Sequence, residues 1–205
     1  IFFLIAKTFS SQGIDSILEL LKYFIGVVIV LFIHLFVVYL PLVKLIAKVN
    51  IINFFSGLKQ ALLFAFSTSS SSATIPITLN NLEKSFNVKK KVSSFTVPLG
   101  ATINMDGTAI MQGMATIFIA NFYGIELIFT DFLTIILTAA LASIGTAGVP
   151  GVGMIMLGMV LNQVGLPLEG IAIVMGVDRL LDMLRTSLNV AGDATVTLLI
   201  NKLEK

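Results

Sequence analysis

The chain combines long apolar stretches with a run of charged and amide side chains in residues 176–193. Five of its polar side chains are regularly spaced, namely Asp178, Asp182, Arg185, Asn189 and Asp193. They follow one another at steps of four, three, four and four residues, so on an α-helix they form one polar stripe about 22 Å long. The flanking residues 168–175 and 196–200 are mostly apolar, which argues against the solvated face of a soluble helix. The pattern predicts a helix whose polar stripe is buried and lines a binding site.

The apolar stretches before this helix differ in length and in the residues that interrupt them. We expect an all-α membrane protein, because about 20 apolar residues suffice for a spanning helix. The predicted elements are the end of a spanning helix (1–15), a spanning helix (17–47), a re-entrant hairpin (51–90), a broken helix (92–122), a second re-entrant hairpin (131–164) and the polar helix (168–201). Pro41 is expected to kink or tilt the spanning helix rather than end it. Since the chain begins within an apolar run, we expect it to be truncated.

Serines and a proline interrupt the first hairpin at residues 67–76. The apolar arms on either side have about a dozen residues each, which is too short to cross a bilayer. Serines compete for backbone hydrogen bonds and Pro76 removes a donor, so the helix is expected to break there and turn back. A flexible serine-rich linker is the alternative, although the flanks are very hydrophobic for a linker.

Two further interruptions involve residues that favour turns. In residues 100–108, Asn and Asp followed by Gly predict an unwound helix at 104–107, with Asp106 directed inward at mid-membrane. In residues 143–153, four glycines and a proline predict a flexible tip that lets backbone approach a ligand closely. The order of hairpin then interrupted helix therefore occurs twice, and we expect an inverted repeat of re-entrant helical hairpins and broken transmembrane helices. Such paired interruptions are typical of secondary transporters with a site at the midplane.

Composition agrees with a membrane protein, since 57% of the 205 residues are hydrophobic and only 12% are charged. The absence of cysteine excludes disulfides, thiolate catalysis and cysteine-based metal sites. The one histidine, His34, lies in an apolar run, and we interpret it as a helix-packing or interfacial residue rather than a ligand.

Lysines set the predicted orientation. They cluster at residues 44–59, 84–91 and 202–205, whereas the opposite loops are acidic, so the lysine-rich loops are expected in the cytoplasm. Three adjacent lysines between apolar segments indicate topology rather than a nucleic-acid surface, and no nucleic-acid partner is expected.

Four motifs in order resemble the glutamate transporter family of dicarboxylate/amino acid:cation symporters. They are residues 69–76 (SSSSATIP), 98–108 (PLGATINMDGT), 142–151 (ASIGTAGVPG) and 182–193 (DMLRTSLNVAGD). The resemblance covers nearly the whole chain and implies the C-terminal transport-domain portion of such a protein. It further implies a multi-pass protein of the cell (inner) membrane, a homotrimer in full-length form, elevator-type movement and no enzymatic activity. The family's first four spanning helices have no counterpart here.

The resemblance also implies roles for individual residues. The implied substrate site consists of Ser70, Ser71, Thr108, Val149, Gly153, Asp182, Arg185, Thr186 and Asn189. The implied sodium ligands are Gly100, Asn104, Asn189 and Asp193 in one site, Thr102, Met105, Ser143, Ile144 and Thr146 in a second, and Asn104 and Asp106 in part of a third. Oxygen ligands of this kind suit a hard monovalent cation.

Within this implied site, Arg185 pairs with the substrate's side-chain carboxylate and Asp182 with its amino group. An acidic amino acid uses both. The choice between aspartate and glutamate stays open, as does proton instead of sodium coupling. A C4-dicarboxylate, a neutral amino acid or cystine are alternative substrates.

Two departures concern an additional arginine that relatives carry. Archaeal members have it where this chain has Ser69 and animal members where it has Met183, so Arg179, one turn before Met183, is a candidate replacement.

An ion channel or an intramembrane protease would belong to a different class. The chain lacks a Gly-x-Gly before Asp193 and a Gly-x-Ser-Gly with a partner histidine, and a channel needs pore-lining rings rather than paired hairpins.

Overall fold

The computed structural model describes residues 15–204, and every regular element in that range is helical. The α-helices are α1 (Asp15–His34), α2 (Ile51–Thr68), α3 (Ser71–Phe86), α4 (Lys90–Ile103), α5 (Asp106–Phe122), α6 (Phe129–Ile144), α7 (Val152–Gln163) and α8 (Ile171–Leu203). A short 3-10 turn, Leu168–Gly170, precedes α8. The predicted end of a spanning helix at residues 1–15 lies almost wholly outside the described residues.

The first helix does not stop at Pro41. After α1 the backbone continues through two π-helical turns, Leu35–Tyr39 and Leu42–Ile46, with Pro41 between them. A proline removes one hydrogen bond and its ring crowds the carbonyl four residues earlier, and wider turns relieve that crowding. Together these segments form an apolar helical stretch, Ile17–Ile46, long enough to cross a membrane.

The interruption between α2 and α3 is shorter than the sequence predicts. Only Ser69 and Ser70 lie outside the helices, because Ser69 adopts a left-handed conformation (φ 52°) and the Ser70 hydroxyl caps α3. Pro76 lies inside α3 without ending it. Helix α2, with 18 residues, is longer than the dozen or so residues predicted for this arm, and it meets the length and composition of a candidate span. The serines end one helix and begin the next, so the break needs only two residues.

The next two interruptions fall within the predicted segments. Asn104 and Met105 separate α4 from α5, while Asp106 and Gly107 already belong to the first turn of α5. Residues 145–151 connect α6 to α7 without regular structure, and Gly151 there has a positive φ of 81°. A side chain with Cβ is strained in that conformation, so the glycine is needed at this point of the tip.

Helix α8 is the centre of the bundle and packs against α1 to α5 and α7. Its residues 188–195 are buried on every side. The outer surface is apolar instead, as on α6, where Ile136, Leu137 and Leu141 are 67%, 63% and 62% exposed. A polar interior with an apolar exterior is the arrangement that a lipid environment favours.

The lysine-rich turn between α3 and α4 lies at the C-terminal end of α8. The Lys89 N–H donates to the Asn201 side chain over 3.0 Å, and Lys89 Nζ donates to the Glu204 carbonyl over 3.0 Å. Two of the lysine clusters therefore lie at the same end of the bundle, as their topological interpretation requires.

Candidate functional site

The polar stripe of α8 is buried, as its spacing predicts. Arg185 is only 1% exposed, and its Nε donates to Asp182 Oδ1 over 3.1 Å while Nη1 donates to Asp178 Oδ1 over 2.9 Å. Asp182 and Asp178 precede Arg185 by three and seven residues, so all three lie on one face of the helix. Two carboxylates thus share one guanidinium, which offsets part of the cost of burying these charges.

Asp178 belongs to the predicted stripe but not to the predicted site. Its contact with Arg185 makes it the residue that fixes the far end of the guanidinium. The separation of seven residues, two helical turns, is the sequence signal that would have found it.

A small polar cavity lies between α8, α5 and the two interruptions. The residues around it are Ser69, Ser71, Met105, Thr108, Thr146, Ala147, Gly148, Val149, Gly153, Asp182, Arg185, Thr186 and Asn189. Its volume is about 20 Å³, which is room for about one water molecule. An amino acid is several times larger, so the cavity must open for a ligand of that size to enter.

Eight of the nine predicted substrate residues line this cavity, and Ser70 is the exception. The Ser70 hydroxyl instead accepts the Ala73 N–H and donates to the Gly148 carbonyl over 2.8 Å. Ser69 lines the cavity without having been predicted to do so, and its buried hydroxyl has no partner among the described residues. Its position within the serine run was the available signal.

The two interruptions meet above the cavity. The Gly148 carbonyl accepts from the Ser70 hydroxyl and from the Ser72 N–H over 3.1 Å. On the other side of the tip, the Gly151 N–H donates to Asp182 Oδ2 over 3.2 Å. Few hydrogen bonds therefore hold the 145–151 tip closed, and one of them ends on a predicted substrate residue.

The first predicted set of sodium ligands is brought together. Asn104 Nδ2 donates to Asp193 Oδ1 over 2.9 Å and to the Asn189 carbonyl over 3.3 Å. A Cβ added at Gly100 would lie 2.5 Å from Asp193 Oδ1, so only glycine leaves room for that carboxylate. Four oxygen-bearing residues from α4, the break and α8 therefore converge at one place.

The second predicted set is less closely assembled. Met105 and Thr146 line the common cavity, but Thr102, Ser143 and Ile144 do not. The hydroxyls of Thr102, Ser143 and Thr146 each donate to a carbonyl of their own helical segment. Only part of the second predicted set is therefore gathered at the cavity.

Asp106, from the third predicted set, contacts α1. Its Oδ2 accepts from Tyr39 over 2.6 Å and lies 3.0 Å from His34 Nε2. The ring of His34 packs on that of Tyr39 and also contacts a carboxylate, and the interpretation as a packing or interfacial residue did not include this polar contact. The sequence did not link Tyr39 or His34 to Asp106, because 67 and 72 positions separate them from it.

Arg179 does not take the position predicted for the additional arginine. It is exposed on α8 and does not line the cavity. Its side chain leaves the helix on a different face from Arg185, which is six residues further along.

A buried polar helix, closed over by two helix interruptions and adjoining a cluster of oxygen-bearing residues, is typical of a membrane transport protein. The sodium:dicarboxylate symporter family matches residues 1–203, and the chain belongs to this family of transporters.

Individual relatives are excitatory amino acid transporters. One from Caenorhabditis elegans is 46% identical over 181 residues, which are 88% of this chain and 36% of the relative. Human excitatory amino acid transporter 1 is 47% identical over 176 residues, 86% of this chain and 32% of the relative. Mouse excitatory amino acid transporter 3 is 42% identical over 206 residues, 100% of this chain and 39% of the relative. The chain thus spans well under half the length of these relatives.

Proposed function

We propose that the full-length protein is a secondary active symporter of acidic amino acids, glutamate or aspartate, coupled to sodium. The observation that carries this proposal is the contact between Arg185 and Asp182 at the small cavity. Each side chain satisfies the other, and an acidic amino acid offers a carboxylate to the first and an ammonium to the second. A dicarboxylate has no ammonium to offer Asp182, and a neutral amino acid has no second carboxylate to offer Arg185. Charge-assisted hydrogen bonds are the strong ones, so the ligand that makes both is favoured.

The charge of the site supports cation coupling. The site contains four carboxyl groups, those of Asp106, Asp178, Asp182 and Asp193, and one guanidinium, that of Arg185. An acidic amino acid adds another negative charge among apolar helices, where charges interact much more strongly than in water. Cations that bind together with the substrate relieve this repulsion. Sodium suits the carboxylate, amide and carbonyl oxygens that converge here.

The ligands proposed for sodium are those of the three sets described above. Gly100, Asn104, Asn189 and Asp193 form the first, and their close approach in the structure supports it. Thr102, Met105, Ser143, Ile144 and Thr146 form the second, through carbonyls in the main. Asn104 and Asp106 contribute to the third. Proton coupling is the alternative to sodium at these carboxylates.

The proposed architecture places residues 16–205 in a transport domain and residues 1–15 at the end of a scaffold helix. The pairs α2–α3 and α6–α7 are then re-entrant hairpins of an inverted repeat, entering from the lysine-rich and the opposite side of the cell membrane. Family membership and the shared position of two lysine clusters support this topology. The domain is proposed to move as an elevator within a homotrimer.

Competition for binding tests the proposed substrate class. Purified full-length protein in 200 mM or so of sodium chloride should bind labelled L-aspartate, and L-glutamate should compete about 100-fold better than succinate or L-serine. The preference follows because only an acidic amino acid satisfies both Arg185 and Asp182. Equal competition by succinate would contradict the assignment of Asp182, and equal competition by L-serine that of Arg185.

Movement of the 145–151 tip gives a further prediction. This segment and the start of α7 hold glycines at 145, 148, 151 and 153, whereas residues 69–76 hold none, so the glycine tip has more backbone freedom. It is therefore expected to act as the gate on the side opposite the lysines.

Spin labels test this gate, since the chain has no cysteine of its own. Val149→Cys and Ala73→Cys, both at exposed positions, are each paired with a label at Lys59→Cys on α2. Aspartate with sodium should narrow the distribution of distances between the labels at 149 and 59 far more than that between the labels at 73 and 59. Equal narrowing, or narrowing at Ala73 alone, would refute the gate assignment.

A further inference from the structure

One oxygen of Asp106 is held by two side chains of the first helix. Tyr39 donates its hydroxyl to Oδ2 over 2.6 Å, and His34 Nε2 lies 3.0 Å from the same oxygen. An ionised carboxylate only accepts, so towards ionised Asp106 the His34 Nε2 acts as a donor. Both hydrogen bonds end on Oδ2, and no described residue is hydrogen-bonded to Oδ1. The carboxylate is thus oriented through one oxygen while the other stays available.

The π-helical turn Leu35–Tyr39 is what allows His34 and Tyr39 to reach the same atom. Five residues on an α-helix correspond to a rotation of about 140° beyond a full turn, which would direct the two side chains apart. In a π-helix the hydrogen bonds join residues five apart, as between the Leu35 carbonyl and the Leu40 N–H, so such residues lie about one turn apart. The two rings accordingly meet edge to face, with centroids 4.7 Å apart.

Tyr39 also reaches the other side of the helix break. It is only 3% exposed. A Cβ at Gly192 of α8 would collide with the Tyr39 ring and with Asn104 Nδ2, so glycine there leaves the space that the phenol occupies. Tyr39 therefore lies between Asp106 and the cluster of Asn104 with Asp193. The first helix is in this way in contact with Asp106 and adjacent to Asn104, which donates to Asp193.

We propose that Tyr39 and His34 are positioning residues for the cation site at Asp106, and that the π-helical turn of the first helix sets its sodium affinity. This inference rests on the proposed sodium coupling. Both donors stabilise the ionised carboxylate and fix its direction without using Oδ1, the oxygen left for a cation. Outer hydrogen-bond partners of this kind typically change metal affinity by about 10- to 100-fold.

Tyr39→Phe tests the inference because it removes one hydroxyl and keeps the ring. Thermal unfolding of the full-length protein in detergent is followed without any amino acid, as sodium chloride replaces choline chloride at constant ionic strength. Sodium that binds the native state raises the unfolding midpoint, which reports its affinity. The variant should need about tenfold more sodium for the half-maximal rise. Tyr23→Phe is the matched control, since Tyr23 is a buried tyrosine on the same helix that packs on Phe118.

A role in folding alone would lower the midpoint of Tyr39→Phe equally at every sodium concentration, and that result would overturn the inference. His34→Gln keeps an N–H donor whereas His34→Leu does not, so the leucine variant should require more sodium than the glutamine variant. Equal sodium dependence of these two variants would overturn the role of His34. If the unfolding midpoint of the wild-type protein does not respond to sodium, the proposed sodium coupling fails and this inference fails with it. If the wild type responds and the variants respond equally, only this inference fails.

Discussion

Arg185→Cys in the full-length protein is expected to weaken aspartate and glutamate binding by about 30-fold or more. The guanidinium is buried and bonded to Asp182 and Asp178 over 3.1 and 2.9 Å. Its removal takes away the partner of the substrate carboxylate and leaves two carboxylates unpaired beside the cavity. Losing one member of a buried charge pair costs about 2 to 5 kcal/mol, which corresponds to between about 30-fold and several thousand-fold in affinity. Equilibrium binding of labelled aspartate measures the loss.

Arg179→Cys is the matched control for this variant. It removes the same side chain from the same helix, but at an exposed position away from the cavity, so aspartate affinity should stay within about twofold of wild type. The Arg185→Cys protein should also gain measurable binding of a neutral amino acid such as L-serine. Serine has no side-chain carboxylate, so Asp178 and Asp182 do not repel its side chain once the guanidinium is gone. Binding of serine would show in addition that the variant is folded. Unchanged aspartate affinity in Arg185→Cys would contradict the proposed role of the residue.

Asp193→Asn is expected to raise the sodium concentration needed for aspartate binding by about tenfold or more. Asp193 is 3% exposed and its Oδ1 accepts from Asn104 while facing Gly100. The substitution keeps the size of the side chain and removes the charge that attracts a cation. Binding of two ligands is reciprocal, so weaker sodium binding must reappear as aspartate binding that requires more sodium.

At saturating sodium, the aspartate affinity of Asp193→Asn should approach that of wild type, since Asp193 does not line the cavity. Glu19→Gln makes the same change from carboxylate to amide at an exposed residue that pairs with Lys22, and its sodium dependence should match wild type. Titration of labelled aspartate binding against sodium separates the two effects. A normal sodium dependence in Asp193→Asn would remove Asp193 from the cation site.

The buried polar stripe on α8 could be predicted because helical period alone decides which side chains share a face. The break at Asn104 and the irregular tip at 145–151 could likewise be predicted from the sequence, since glycine and asparagine favour turns locally. These features depend on neighbouring residues only. They account for most of the cavity lining, including Thr108, Asp182, Arg185 and Asn189.

The contacts of Asp106 could not be predicted in the same way. They depend on the rotation of α1, which two π-helical turns around Pro41 determine, and the apolar residues there give no sign of a changed helical pitch. The extent of the serine break was also misjudged, because a left-handed Ser69 and a capping Ser70 complete the turn in two residues. In both cases backbone geometry rather than residue type decides the outcome.

Uptake of labelled L-aspartate into proteoliposomes tests the central claim most directly. Full-length protein is reconstituted with potassium inside, and the outside solution contains either sodium chloride or choline chloride at the same membrane potential. The account predicts accumulation above the outside concentration with sodium only, and loss of that accumulation when an ionophore dissipates the sodium gradient. Equal uptake in the two solutions, or sodium-driven uptake of succinate but not of aspartate, would contradict it.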